Sequence, residues 1–172
     1  MKDNILLIGF MGVGKGTIAR AFAKKYKIYN IDTDDLIESK ENKSIPKIFQ
    51  KYGEDFFRQK EQETANWLEE CVKGTLISCG GGFYKVKNLN KIGKVVLLDA
   101  SFEWIYNRLK NAKNSEAKLA KRPLFQDIKK AKDLYNKREK EYKKVADFII
   151  NIEGKKDKDI LKELAKIAKI KK

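Results

Sequence analysis

Apolar and polar positions along this chain follow two alternating periods. Short β-rich runs recur at residues 5–8, 28–31, 75–78, 95–98 and 148–152. Between them the apolar positions take helical spacing, as in Ile18, Ala19, Phe22 and Ala23. Strands that alternate with helices predict an α/β fold with a parallel sheet. Ligands in such sheets bind beyond the C-terminal ends of the strands, where residues 9–15, 32–34 and 80–82 fall. Two intervals are too long for simple crossovers: residues 33–74, which look wholly helical, and residues 109–125, which are charged and lack a clear apolar face until Pro123, Leu124 and Phe125. They read as a substrate-binding insert and a flexible lid within one domain of residues 1–172. Ile160, Leu164, Ile167 and Ala168 predict an amphipathic closing helix with a basic tail.

The first apolar run leads into Gly9, Gly14 and Lys15, spaced as G-x-x-x-x-G-K, and a helical pattern follows. Glycines there let backbone N–H groups converge on phosphate oxygens, and the lysine adds a point charge at the β/γ end. A phosphate-binding loop is the prediction. The hydroxyl that normally ligates Mg²⁺ directly after the lysine is replaced by Gly16, with Thr17 next. Asp32 and Asp34 follow the second run and precede a helix expected near Asp35. Two carboxylates beside a phosphate loop can divide labour, one holding Mg²⁺ through water and the other accepting a proton from an attacking hydroxyl. Helix capping is the plainer use of the same pair.

Arg58 and Glu61 fall one helical turn apart, so the carboxylate can orient the guanidinium toward a second anion; an ordinary surface ion pair is the alternative. Phe49 and Phe57 add apolar wall. Gly80, Gly81 and Gly82 end the third strand, where backbone must approach a ligand closely or turn sharply. Arg122 in the lid and Arg138 ahead of the last strand can each clamp an anion.

Composition narrows these options. With 172 residues there is material for one well-buried core. The net charge of +15 is spread along the chain without an aromatic-basic module, which suits ATP and acidic small substrates and argues against a specific nucleic-acid partner. Only five of the 39 basic residues are arginines, Arg20, Arg58, Arg108, Arg122 and Arg138, so each is a candidate for planar, bidentate anion binding. Histidine is absent, which removes His-based acid–base catalysis, Ser-His-Asp triads and His metal sites. Cys71 and Cys79 lack metal-ligand spacing and are expected to be free, buried thiols in a reducing compartment. The apolar run before Gly9 is too short for a signal peptide and no segment approaches a membrane span, so a cytoplasmic protein without a membrane partner is expected.

In chain order, the loop of residues 9–17, Asp32-Thr33-Asp34, Phe57-Arg58-Gln59-Lys60-Glu61, Gly80-Gly81-Gly82, Arg122-Pro123-Leu124, and Arg138 with Tyr142 resemble shikimate kinase over about the whole chain. The resemblance implies the P-loop three-layer fold of nucleoside monophosphate kinases: a five-stranded parallel sheet in order 2-3-1-4-5, flanked by helices, with a lid and a helical substrate-binding insert. It also implies a monomer that transfers a phosphoryl group from Mg·ATP to the 3-hydroxyl of shikimate, in chorismate and aromatic amino acid biosynthesis. Carried onto matching positions, Gly12, Val13, Gly14, Lys15, Gly16 and Thr17 would hold ATP and Arg108 would stack on adenine. Phe57, Arg58, Gly80, Gly81, Gly82 and Arg138 would hold shikimate, with the arginines at its carboxylate and Glu61 supporting Arg58. Asp34 would bind the reacting hydroxyl and serve as its base, while Lys15 and Arg122 would stabilise charge on the transferring phosphate.

The chain departs from the family's pattern at three places. Gly16 leaves Mg²⁺ to Asp32 acting through water or to Thr17, and Gly-Lys-Gly-Thr is similar to adenylate kinases here. Cys79 stands where threonine often precedes the triple glycine. Lys140 and Glu141 replace the proline and leucine of the common R-x-P-L-Y pattern, so a different local turn is expected after Arg138. Two other readings stay open. Another small-molecule or nucleotide kinase of the same fold is favoured by Gly16-Thr17, and Arg58 with the triple glycine argues against it. A nucleotide-binding regulator without turnover is opposed by the complete set of Asp34, Lys15 and Arg122.

Overall fold

Every position of the first strand, Asn4–Ile8 (β1), is buried, as a strand covered on both faces requires. In this computed structural model, which describes residues 3–112 and 123–170, β1 is the middle strand of five. Leu76–Ser78 (β3) and Gly93–Asp99 (β4) flank it, with Asn30–Asp32 (β2) and Phe148–Asn151 (β5) at the edges. All pairings are parallel, in the expected order β2-β3-β1-β4-β5. The register sets Leu6 beside Ile77 and Val95, so apolar side chains run in rows across the sheet.

Seven helices are described: Lys15–Tyr26 (α1), Thr33–Glu41 (α2), Ile45–Cys71 (α3), Leu89–Ile92 (α4), Phe102–Lys110 (α5), Ile128–Val145 (α6) and Asp157–Ile167 (α7). Helix α1 packs on β3 and against α7, and α6 packs on β4. Helix α7 buries Ile160, Leu161, Leu164 and Ala165, close to the stripe predicted for it. At the base of the sheet, buried Asn4 ties three segments together. Its amide donates to the carbonyls of Val72 (2.6 Å) and Ile92 (3.0 Å), and its oxygen accepts the Thr75 N–H at 3.1 Å. Among the described residues no helix is long and apolar enough to cross a membrane.

Several local expectations are corrected. The second strand starts at Asn30 rather than Ile28, because α1 closes with Lys27 in the left-handed region (φ 52°) and the Ile28 N–H is spent on the Ala23 carbonyl at 3.1 Å. Helix α2 starts at Thr33 rather than near Asp35, capped by Asp32, whose Oδ1 accepts the Asp34 N–H at 3.0 Å. The insert is helical as expected, divided into α2 and α3. Asn42 takes a left-handed turn (φ 48°), Glu38 accepts the Ile45 N–H at 2.7 Å to start α3, and Gly53 breaks α3 with φ 80° and ψ 178°. Ile37, Ile48 and Phe57 form a small apolar cluster of the insert's own, separate from the main core. Cys79 is buried as expected, but Cys71, the last residue of α3, is exposed. Of the lid, Lys110 ends α5 and Pro123–Gln126 forms a 3₁₀ turn; Arg122 and the rest of 113–122 lie outside the described residues.

Candidate active site

Strand β1 delivers the chain into the glycine loop at the C-terminal edge of the sheet. Phe10 and Val13 are buried and anchor the loop from below. Gly14 caps α1 at φ 104°, a left-handed conformation that a side chain would strain. From the first turn of α1, Lys15 reaches back to donate to the carbonyls of Gly9 (2.7 Å) and Phe10 (3.3 Å). Its ammonium thereby lies across the mouth of the loop. Arg108 on α5 donates to the Val13 carbonyl at 2.7 Å and lies over the Trp104 ring at 5.3 Å, so a flat cation borders the loop where the resemblance implies adenine.

A cleft of about 740 Å³ opens beside the loop, lined among others by Lys15, Gly16, Arg20, Asp32, Asp34 and Gly80. Asp34 is half-buried in its wall. Burial pushes its carboxyl up to about 7, and repulsion from Asp32 adds to the rise while Lys15 opposes it. The pair thus differ in use: Asp32 caps α2, and Asp34 is poised near neutrality. Asp32 Oδ2 lies 3.7 Å from where a methyl on Gly16 would stand, so a carboxylate faces the loop at the position of the missing hydroxyl. Among the described residues no three His, Cys, Asp or Glu side chains gather as a metal cage. Asp32, a hard oxygen donor facing the loop, is of the chemistry that would fit Mg²⁺ held through water. Thr17 is exposed on α1.

The triple glycine brings three side chains together, and each glycine admits one. A methyl at Gly80 would fall on the Asp34 carboxylate, and one at Gly82 on the Arg58 guanidinium; at Gly81 it would stand 3.3 Å from Arg138 Nη1. Elements far apart in sequence, α2, α3 and α6, therefore present a carboxyl group and two cations to one turn of backbone. Arg58 Nη1 donates to Glu61 at 2.6 Å, the pairing expected from their spacing. Glu61 is only 2% exposed, and burial raises its carboxyl although Arg58 pulls the other way. Glu61 Oε1 and Arg138 Nε are buried without a hydrogen-bond partner among the described residues, which suits groups that face a polar ligand. Phe57 serves mostly as core of the insert, packed on Phe49 at 4.9 Å, with the Arg58 guanidinium 5.6 Å from its ring.

Some participants were not legible in the sequence. Thr33, fully buried, accepts the Gly80 N–H at 2.8 Å and ties α2 to the glycine turn; it reads as the middle of D-x-D and carries no signal of that role. Tyr142 donates to the Gly81 carbonyl at 2.7 Å. Its hydroxyl could be foreseen only from the family motif. After Arg138, α6 runs without a break through Lys140 and Glu141 to Val145, and Glu141 accepts a hydrogen bond from the Tyr84 hydroxyl. Arg20, the arginine without a motif, lies beside Gly16.

A phosphate loop at the centre of a parallel β2-β3-β1-β4-β5 sheet, facing an elevated aspartate and paired arginines, defines a P-loop kinase of small molecules. The shikimate kinase family model matches residues 11–169, and the chain belongs to that family of ATP-dependent kinases. A shikimate kinase of Helicobacter hepaticus is 44% identical over 149 residues, covering 87% of this chain and 86% of the relative. One from Sulfurihydrogenibium is 38% identical, covering 94% and 95%. Among solved structures, shikimate kinase from Acinetobacter baumannii in complex with shikimate superposes with a TM-score of 0.81 at 29% identity, covering 97% of this chain and 93% of that one. The enzyme from Bacteroides thetaiotaomicron gives 0.82 at 28% identity over 99% and 100%.

Proposed function

We propose that this chain transfers the γ-phosphoryl group of ATP to the 3-hydroxyl of shikimate, with the residues converging on the triple glycine as its acceptor site. The observation that carries the reading is that convergence: Asp34, Arg138 and Arg58 each meet one of the glycines of residues 80–82. A hydroxylated ring with one carboxylate needs a base at one end and cations at the other, and this turn offers both. Asp34 accepts the hydroxyl proton as the oxygen attacks. Arg58, oriented by Glu61, and Arg138 hold the carboxylate and fix the ring so that one hydroxyl alone reaches Asp34. Gly12, Val13, Gly14, Gly16 and Thr17 hold the nucleotide phosphates through backbone N–H groups, and Arg108 borders the base.

Lys15 stabilises charge on the transferring group, joined by Arg122, whose part rests on the resemblance alone. Asp32 would hold Mg²⁺ through water, and the ion, when bound, would supply charge neutralisation. Two free cysteines fit a cytoplasmic setting, and the family resemblance favours a monomer without a nucleic-acid or membrane partner.

ADP release measured with shikimate, adenosine monophosphate or gluconate as acceptor tests the assignment. The expected result is turnover with shikimate alone. Equal turnover with the other acceptors and none with shikimate would return the chain to the wider class of kinases of this fold, and no turnover with any would make it a regulator.

A further inference from the structure

Arg58 is gripped from two sides by carboxylates of different kinds. Glu61, nearly inaccessible, holds Nη1 at 2.6 Å. Glu54 takes the other edge: Nε at 3.0 Å and Nη2 at 2.7 Å both donate to its Oε1. The Glu54 side chain is 64% exposed, so this edge of the pair is open to solvent. The Nε and Nη2 edge of a guanidinium is one of the forks that binds a planar carboxylate through two parallel bonds. Glu54 also feels the other cations of this corner. Its carboxyl is held below the ordinary range by the Arg58 hydrogen bond first, with Lys85 and Arg138 contributing.

The Glu54 side chain has open solvent to move into. Gly53, immediately before it, breaks α3 with nothing within 4 Å of the position its Cβ would take. Glu54 therefore opens the second half of the helix facing solvent, and as an acid at a helix start it is stable there whether or not it touches Arg58.

We infer that Glu54 is an internal stand-in for the substrate's carboxylate: it occupies the outer fork of Arg58 in the empty enzyme and yields it when shikimate enters. This rests on the reading that Arg58 holds that carboxylate. Glu54 then keeps Arg58 extended over Gly82 between turnovers and lowers shikimate affinity by competition. It neither touches the reacting atoms nor takes part in the transfer.

The test compares shikimate titrations of the full-length wild type, Glu54→Gln and Arg58→Lys at saturating Mg·ATP, with shikimate Kd by calorimetry in parallel. An exposed ion pair is weak, so neutralising Glu54 should lower shikimate KM and Kd by about two- to fivefold, with ATP KM and kcat not reduced. Arg58→Lys should raise shikimate KM. If Arg58→Lys leaves shikimate KM unaltered, the underlying reading of Arg58 fails. If Arg58→Lys raises it while Glu54→Gln leaves it unchanged or raises it too, the stand-in alone is overturned, and Glu54 is a support of Arg58 like Glu61.

Discussion

At the residue scale the site turns on two positions where ordinary chemistry is displaced. Asp34 is held near neutrality by burial and by Asp32, to about 7. A general base works only when deprotonated, so kcat/KM should rise with pH through about 7 and level off above it. The same shift has a sign for stability. Because the folded value exceeds the unfolded one of roughly 3.9, ionised Asp34 destabilises the fold above pH 7, and the loss is recovered as pH falls from 7 toward 4. Asp34→Asn removes charge and base together. It should lower kcat by roughly 10²-fold or more yet melt above wild type at pH 8, with the two melting curves converging near pH 4. A variant that kept kcat within about threefold of wild type would remove Asp34 as base. Gly16 is the second position. It lies in the first turn of α1 outside the left-handed region, and a methyl there would stand 3.3 Å from the mobile end of Arg20. Serine should therefore fit with a small movement of Arg20, placing a hydroxyl beside Asp32. Gly16→Ser should lower the Mg²⁺ concentration for half-maximal activity and leave the melting temperature nearly unchanged; an unaltered Mg²⁺ dependence would mean that water or Thr17 already fills the role.

At the scale of elements, what was legible follows from what each element depends on. Strands β1 and β4 are buried by apolar runs, and periodicity alone located them. Edge strand β2 starts two residues later than its apolar run, because its start is decided by how α1 ends. The left-handed Lys27 and the bond from Ile28 to Ala23 are a helix-closing device without glycine, and nothing in Lys27 announces it. The apolar spacing of the insert predicts helix throughout and leaves its breaks unmarked. Its breaks come from single residues, Asn42 and Gly53, whose backbone conformations override a pattern that remains helical on either side. Site residues fared similarly. Arg58 and Glu61 were legible because their partnership is local, one turn apart. Asn4, Thr33 and Tyr142 were obscure, since each bonds to backbone 47 or more residues away and their roles exist only once the sheet is assembled.

The whole molecule combines a basic surface with two cores of unequal size. A net charge of +15 favours anions near the molecule without choosing between them, so on the proposed reading selection falls to the turn where Asp34, Arg58 and Arg138 meet. Helix α3 belongs to both cores. Ile48 and Phe57 lie in the small cluster of the insert, while Ala65 and Leu68 lie in the main core under the sheet. Arg58 follows Phe57 of the small cluster, so on the proposed reading the acceptor site should depend on the small cluster and the nucleotide site on the large one. Ile48 and Leu68 are both fully buried, which makes a matched pair of truncations informative. Leu68→Ala should destabilise the whole fold by about 2–5 kcal/mol, lowering the melting temperature while both KM values stay near wild type well below the transition. Ile48→Ala removes similar packing from a cluster of only three buried residues. The insert should loosen locally, so that shikimate KM rises, ATP KM holds, and the global melting temperature falls less than in Leu68→Ala. Thermal melts with separate substrate titrations on the two variants decide it: equal melting losses with both KM values unchanged would show that the insert and the sheet unfold as one unit, and that the small cluster has no separate hold on the acceptor site.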